Sequence, residues 1–137
     1  MPEPDDSIGR IVDEAYDALT FDAGGQPDWA AFAAVFDEQA LLALRVFPED
    51  TAVSLMTLAE YAEAQMRHDL GSHGYSETPG ERSTEVIGDV ACVRQAFTMN
   101  FVDRSVAAVD VFLLLRQADG WRIFSVASDM EQATPGA

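Results

Sequence analysis

The densest hydrophobic patterning lies between Ser105 and Met130. It reads SVAAVDVFLLLRQ, then Ala118-Asp119-Gly120, then WRIFSVASDM. An Asp-Gly step between two runs rich in Val, Phe, Leu and Ile predicts a β-hairpin, because the favoured tight turn needs positive φ at both central residues. The first arm is apolar on both faces, so both faces require cover. One residue interrupts it: Asp110 sets a carboxylate between Val109 and Val111.

Upstream, the period changes. Ile8, Ile11, Val12, Ala15 and Leu19 recur at helical spacing and predict a helix from Asp6 to about Leu19, with Tyr16 at the border of its apolar stripe. Asp5 and Asp6 sit where the helix dipole favours negative charge. The stretch FDAGGQP (21–27) breaks the pattern. Asp28 can then cap a shorter helix, WAAFAAVF, with Trp29, Phe32, Ala33 and Phe36 on one face. Gln39 to Phe47 reads as a strand ended by Pro48. Thr57-Leu58-Ala59-Glu60 is a capping box that opens a third helix, with Leu58, Tyr61, Ala62 and Met66 on its apolar side and Glu63 placed to pair with Arg67. Residues 71–80 read as a loop. A meander follows over 83–87, 90–102, 106–116 and 121–130, with turns at Gly88-Asp89, Asp103-Arg104 and Asp119-Gly120.

This order predicts an α+β domain: three N-terminal helices packed on a curved, mostly antiparallel sheet. It spans 1–137 as one unit, with loose ends at 1–5 and 131–137. A bent sheet over helices leaves a hollow, a natural place for a small molecule. The outer face of the sheet needs cover too, and a second copy of the chain is the simplest source, which predicts a homodimer through the sheet.

Composition narrows the partners. The net charge is −16 and all eight basic residues are arginine. Such a surface repels nucleic acid and anionic lipid, since phosphate binding needs clustered positive charge. No apolar run approaches the roughly 20 residues of a membrane span. The acidic start MPEPDDSIGR lacks a signal-peptide pattern, and the single Cys92 cannot form an internal disulfide. The expectation is a cytoplasmic protein that binds neither nucleic acid nor membrane. Cys92, between Ala91 and Val93, reads as a small hydrophobe.

The phrases YDAL…GGQPDWAAFAAVFDEQALL and VDVFLLLRQADGWRIFSVASDME resemble the nuclear transport factor 2-like superfamily, over nearly the whole chain. That superfamily has a cystatin-like cone fold and also holds ketosteroid isomerase and the polyketide-cyclase (SnoaL-like) proteins. The second phrase is most similar to uncharacterised bacterial members. The resemblance implies a homodimer through the sheet and a hydrophobic pocket inside the cone. It implies no single activity, because the fold hosts isomerases, dehydratases, epoxide hydrolases and non-enzymatic binders. Ketosteroid isomerase has a Tyr in its first helix, which Tyr16 resembles, and a carboxylic acid in an apolar strand before Phe, which Asp110 resembles. Its carboxylate base on the first strand would fall at Leu44, and Leu cannot take a proton.

Tyr16 and Asp110 are thus the candidate catalytic or anchoring pair. A phenol and a protonated carboxylic acid in a dry pocket can both donate to a developing oxyanion; ketosteroid isomerase is itself the reference case for an acid kept neutral in this way. The alternative is structural: Asp110 accepts hydrogen bonds or pairs with Arg45, Arg94 or Arg122. Phe32, Phe36, Leu44, Tyr61, Met66, Phe97, Met99 and Phe112 are the candidate ligand-lining residues, although a filled core would use the same side chains. Glu49, Asp50, His68 and His73 are weaker candidates for an acid or base. His68 and His73, with Asp69 and Glu77 nearby, could hold a metal, but the two histidines span a helix end and a glycine loop, not one helix face, so no metal and no cofactor is expected. The leading expectation is a protein that binds a small, largely apolar ligand inside the cone. The alternatives are a lyase, isomerase or cyclase acting through an enolate, and a non-catalytic dimeric interaction module.

Overall fold

The computed structural model describes residues 6–131. The first helix, α1 (Ser7–Leu19), buries Ile8, Val12, Ala15, Tyr16 and Leu19 along one stripe. Asp28 caps α2 (Trp29–Ala34) by accepting from the Ala31 amide at 3.0 Å. The chain then runs through β1 (Phe36–Leu44), β2 (Ser54–Thr57), α3 (Leu58–Gln65) and α4 (Leu70–His73). Four long strands complete it: β3 (Ser76–Ile87), β4 (Val90–Asn100), β5 (Ser105–Gln117) and β6 (Gly120–Met130).

The six strands form one sheet in the order β2-β1-β6-β5-β4-β3. All neighbours are antiparallel except β1 and β6, which run parallel. The α+β class and mostly antiparallel sheet follow the expectation, but the expected count of three helices does not: four form among the described residues, and β1 and β2 separate the second from the third. Alternation along β5 is regular. Ala108, Asp110, Phe112 and Leu114 are buried against the helices, while Val109, Val111, Leu113 and Leu115 face outward, half-buried.

Several boundaries differ from the sequence reading, each for an identifiable reason. Phe36 opens β1 instead of closing α2: it aligns with Ile123 of β6, whose amide donates to Val35 at 2.9 Å. The strand expected at 39–47 accordingly sits three residues earlier. The expected loop 71–80 is half strand. Pro79 and Gly80 do not end β3, because β3 is the sheet's edge and its register shifts between Pro79 and Arg82; an edge bulge needs no ladder donor from proline. In the β3–β4 and β5–β6 turns only the glycine takes positive φ, Gly88 at 58° and Gly120 at 117°, so the expected Asp-Gly geometry with two such residues is not the one used. The capping box at Thr57 and Glu60 is present with both bonds, but Arg67 reaches Asp50 at 2.8 Å instead of Glu63. The expected loose ends lie outside the described residues except Glu131, whose amide donates to Ala107 at 2.9 Å.

The helical layer is anchored at the β3 bulge. Gln95, fully buried on β4, donates to the carbonyls of Gly80, Glu81 and Ala96. Its carbonyl accepts from Arg82 Nε at 2.5 Å, and the same guanidinium pairs with Asp13 on α1. The amide satisfies the bulge's carbonyls, and the guanidinium it holds fixes α1, and so Tyr16, over the sheet.

Before β3, Gly74 sits at φ 79°, and a Cβ there would lie 2.9 Å from the Ala23 amide nitrogen and 3.1 Å from the Phe21 carbonyl oxygen. Backbone cannot yield as a side chain can. Gly74→Ala is therefore expected to lower stability by about 1–3 kcal/mol, measured by urea unfolding; an unchanged midpoint would contradict this packing.

Candidate functional site

Between the helices and the concave face of the sheet lies a cavity with room for water-sized centres of about 50 Å³, inside an envelope of about 540 Å³ that includes its mouth. A single water needs only about 10–15 Å³ by this measure, so the space suits several waters or one small ring and is tight for a steroid. Its walls are mainly apolar. Phe32, Phe36, Tyr61, Phe97, Met99 and Phe112 line it together with Leu42 and Val126. Leu44, Arg45, Ser128 and Met130 also line it and are only partly buried.

Tyr16 and Asp110 meet in this wall. α1 carries the phenol inward on its buried stripe, and the ring packs against Phe97 and Phe112 with centroids 5.4 and 5.9 Å apart. The strand period turns Asp110 to the same side. The Tyr16 hydroxyl donates to Asp110 Oδ2 at 2.7 Å, joining residues 94 apart in sequence. No guanidinium takes this place: Arg45 pairs with Asp129 at 2.5 Å, Arg122 with Asp119 at 2.7 Å, and Arg94 lies on the exposed face of β4. Burial pushes the Asp110 carboxyl up to about 6, against the opposing pull of the Ser128 and Tyr16 hydroxyls. Burial and the neighbouring Asp110 charge push the Tyr16 phenol higher still, so it stays protonated as the donor.

A second carboxyl enters the cavity. Glu77 opposes Met99 in the register of β3 and β4, lines the hollow and accepts a short hydrogen bond from the buried Tyr75 hydroxyl. Burial, followed by the Asp110 charge, raises it to about 8, while the Tyr75 hydroxyl pulls the other way. At neutral pH the two acids therefore differ: Asp110 is mainly a carboxylate and Glu77 mainly neutral. Carboxyls pushed apart in this way are the usual basis of an acid–base pair.

Gln65, the last residue of α3, also lines the cavity and is 2% exposed. Its Nε2 has no hydrogen-bond partner among the described residues. It occupies the place expected for Met66, which caps the helix half-buried and does not line the hollow. The helix is rotated so that Tyr61 and Gln65, four apart, face inward.

The weaker candidates lie elsewhere. Asp50 accepts from the Phe47 amide and pairs with Arg67, and Glu49 pairs with Arg104. The His68 ring stacks edge-on against Phe47 with centroids 4.8 Å apart, at the start of a tight turn where its φ is 59°. His73 closes α4 on the surface. Among the described residues no three His, Cys, Asp or Glu side chains gather as a metal site.

Comparison with family models and with curated proteins gives no match for the sequence. The shape does match. A nuclear transport factor 2-like family protein from Streptomyces avermitilis, for which dehydratase activity has been suggested, superposes with TM-score 0.70 at 15% identity, over 93% of this chain and 96% of that one. The fold is nuclear transport factor 2-like. A member from Novosphingobium aromaticivorans with a cystatin-like fold gives TM-score 0.64 at 19% identity, over 95% and 80% of the two chains. A protein suggested to be a ketosteroid isomerase, from Shewanella frigidimarina, gives 0.65 at 22% identity, over 90% and 95%. At such identities the nuclear transport factor 2-like likeness concerns architecture, and the chemistry must come from the residues in the cone.

For Glu77 the sign of the pH effect is fixed by its direction of shift. The unfolded chain releases this proton near the ordinary 4.5 and the folded protein near 8. Between those values the native state binds more protons, so its stabilising contribution is complete below 4.5 and lost as pH rises through 8. Glu77→Gln is expected to flatten the fall in unfolding free energy between pH 5 and 9, by an amount on the order of a few kcal/mol at most for this half-buried group. Denaturant titrations across that range measure it, and parallel curves for the two proteins would show that Glu77 ionises normally.

Proposed function

We propose that this protein binds a small, largely apolar molecule inside the cone, with Tyr16 and Asp110 as polar anchors. The observation that carries the reading is the Tyr16–Asp110 hydrogen bond in the wall of an otherwise greasy cavity. A buried carboxylate without a cationic partner is costly. With Tyr16 already donating to one oxygen, the remaining acceptor capacity suits a ligand hydroxyl. Phe32, Phe36, Leu44, Tyr61, Phe97, Met99 and Phe112 supply the apolar contact.

A second reading, catalysis through an enol or enolate, has one specific support: the opposite protonation of Asp110 and Glu77 in one cavity. The roles differ from those the resemblance implies. Tyr16 keeps its proton and donates a hydrogen bond to Asp110, so Asp110 serves as the base that takes a proton from carbon beside a carbonyl. Neutral Glu77 gives its own proton to the carbonyl oxygen, forming the enol.

A second copy of the chain covers the sheet's outer face in this proposal. Val109, Val111, Leu113 and Leu115 form a half-exposed apolar row there, and such rows mark association surfaces. Leu113→Glu is expected to shift a dimer to monomer in sedimentation analysis; a monomeric parent protein would contradict the pairing.

Cyclohexanol serves as the test probe for the pocket. Wild-type protein should show amide and methyl NMR shifts concentrated on cavity residues such as Ala15, Ala108 and Val126. Asp110→Leu should weaken binding about tenfold through loss of one hydrogen bond to a charged acceptor. Shifts scattered over the surface, or none at millimolar probe, would refute the pocket. For the catalytic reading, exchange of the α-protons of cyclohexanone in D₂O should be accelerated by the wild type. Asp110→Asn should lose at least about a hundredfold of that acceleration, and no exchange by the wild type would leave the binding role alone.

A further inference from the structure

Asp110 accepts, so a ligand held only there presents a donor. The opposite need is found at Gln65. Its side chain is 98% removed from solvent, it lines the same cavity, and its Nε2 donates to nothing among the described residues. Burying an amide without a partner costs more than its one hydrogen bond returns. The nearby polar groups have other engagements: Tyr16 donates to Asp110, Tyr75 donates to Glu77, and Arg45 holds Asp129 and the Asp50 carbonyl. Helix α3 itself would be served equally well at this position by an apolar residue, since Tyr61, one turn earlier, already supplies its packing.

We infer that Gln65 is a ligand-recognition residue: its amide donates to an acceptor oxygen on an uncharged ligand whose apolar body fills the cone. The inference rests on the pocket reading above and adds the polarity and charge of what enters. An anion is disfavoured. Asp110 and Glu77 share the cavity, and Arg45, the one lining cation among the described residues, is bound by the Asp129 carboxylate. A ligand acceptor satisfies Gln65 without adding charge beside two carboxyls.

A matched set of probes tests this: cyclohexanone, methylenecyclohexane and cyclohexanecarboxylate. The first two have nearly the same shape and differ in one acceptor oxygen; the third adds charge. Wild-type protein should bind the ketone about tenfold more tightly than the alkene, the scale of one desolvated hydrogen bond, and the carboxylate most weakly. In Gln65→Leu the ketone's advantage should vanish while alkene binding is kept. A measurement on the unaltered protein guards against a variant that fails to fold. The Gln65 side-chain ¹⁵NH₂ resonances should move downfield with the ketone and stay in place with the alkene. A ketone preference that survives Gln65→Leu, or side-chain resonances indifferent to the ketone, overturns the role of Gln65 while leaving the pocket intact. Binding of none of the three probes overturns the pocket, and this inference with it.

Discussion

The arrangement depends on one buried carboxyl. Asp110 stands in the middle of β5 with Ala108 and Phe112 on the same concave face, and it is 8% exposed. A carboxylate so placed must be solvated by the protein or neutralised. Here the Tyr16 hydroxyl does the first and burial works toward the second. Tyr16 can reach it only if α1 lies over the sheet at one height and one rotation. That is a strong positional demand on a helix whose other contacts are non-directional, and it explains why so long a sequence separation is closed by a bond of 2.7 Å.

The demand is met from the opposite end by the β3 bulge. An extra residue between Pro79 and Arg82 bends the edge strand and leaves carbonyls that Gln95 must satisfy. Arg82, displaced by the same bulge, is the residue that reaches Asp13 and the Gly9 carbonyl on α1. The irregularity that curves the sheet is therefore also the one that ties down the helix, and the curvature creates the hollow that Tyr16 and Asp110 share. The outward ion pairs, by contrast, are mostly solvent-exposed and add little each.

How far this was legible from the sequence depends on the strength of each local signal. β4, β5, β6 and the second half of β3 announce themselves through β-branched runs and turn residues, and the helix at 7–19 through its stripe. Asp110 was legible because a charge in an apolar strand breaks a period of two, and its partner because a border tyrosine lies on the buried stripe. Glu77 was not, because GSHGYSETPG reads as loop; only the edge position of β3, a tertiary fact, lets Pro79 and Gly80 lie inside a strand. Gln65 was hidden by a rotation. Leu58, Tyr61, Ala62 and Met66 satisfy helical spacing as well as Leu58, Tyr61 and Gln65 do, and hydrophobicity prefers the first. A polar residue one turn after a buried aromatic carried the same kind of signal as Asp110, but helix faces are broader than strand faces and tolerate the ambiguity. The β1 boundary failed because a parallel pairing with β6, far along the chain, outcompetes one more helical turn at Phe36.

The polar groups in the cone also explain why Leu44 does not leave the site without chemistry. A fold of this kind fixes a cavity but not which wall carries its base. With an apolar side chain on β1, the carboxyls stand instead on β5 and at the start of β3, where burial raises both and the Asp110 charge raises Glu77 further. A ligand that offers a donor toward Asp110 and an acceptor toward Gln65 serves both without adding charge, whereas an anion would add charge beside two carboxyls and a bulky steroid would require the aromatic walls to part. The chemistry of the cone is set less by any one of these residues than by the need of its polar side chains to be satisfied together.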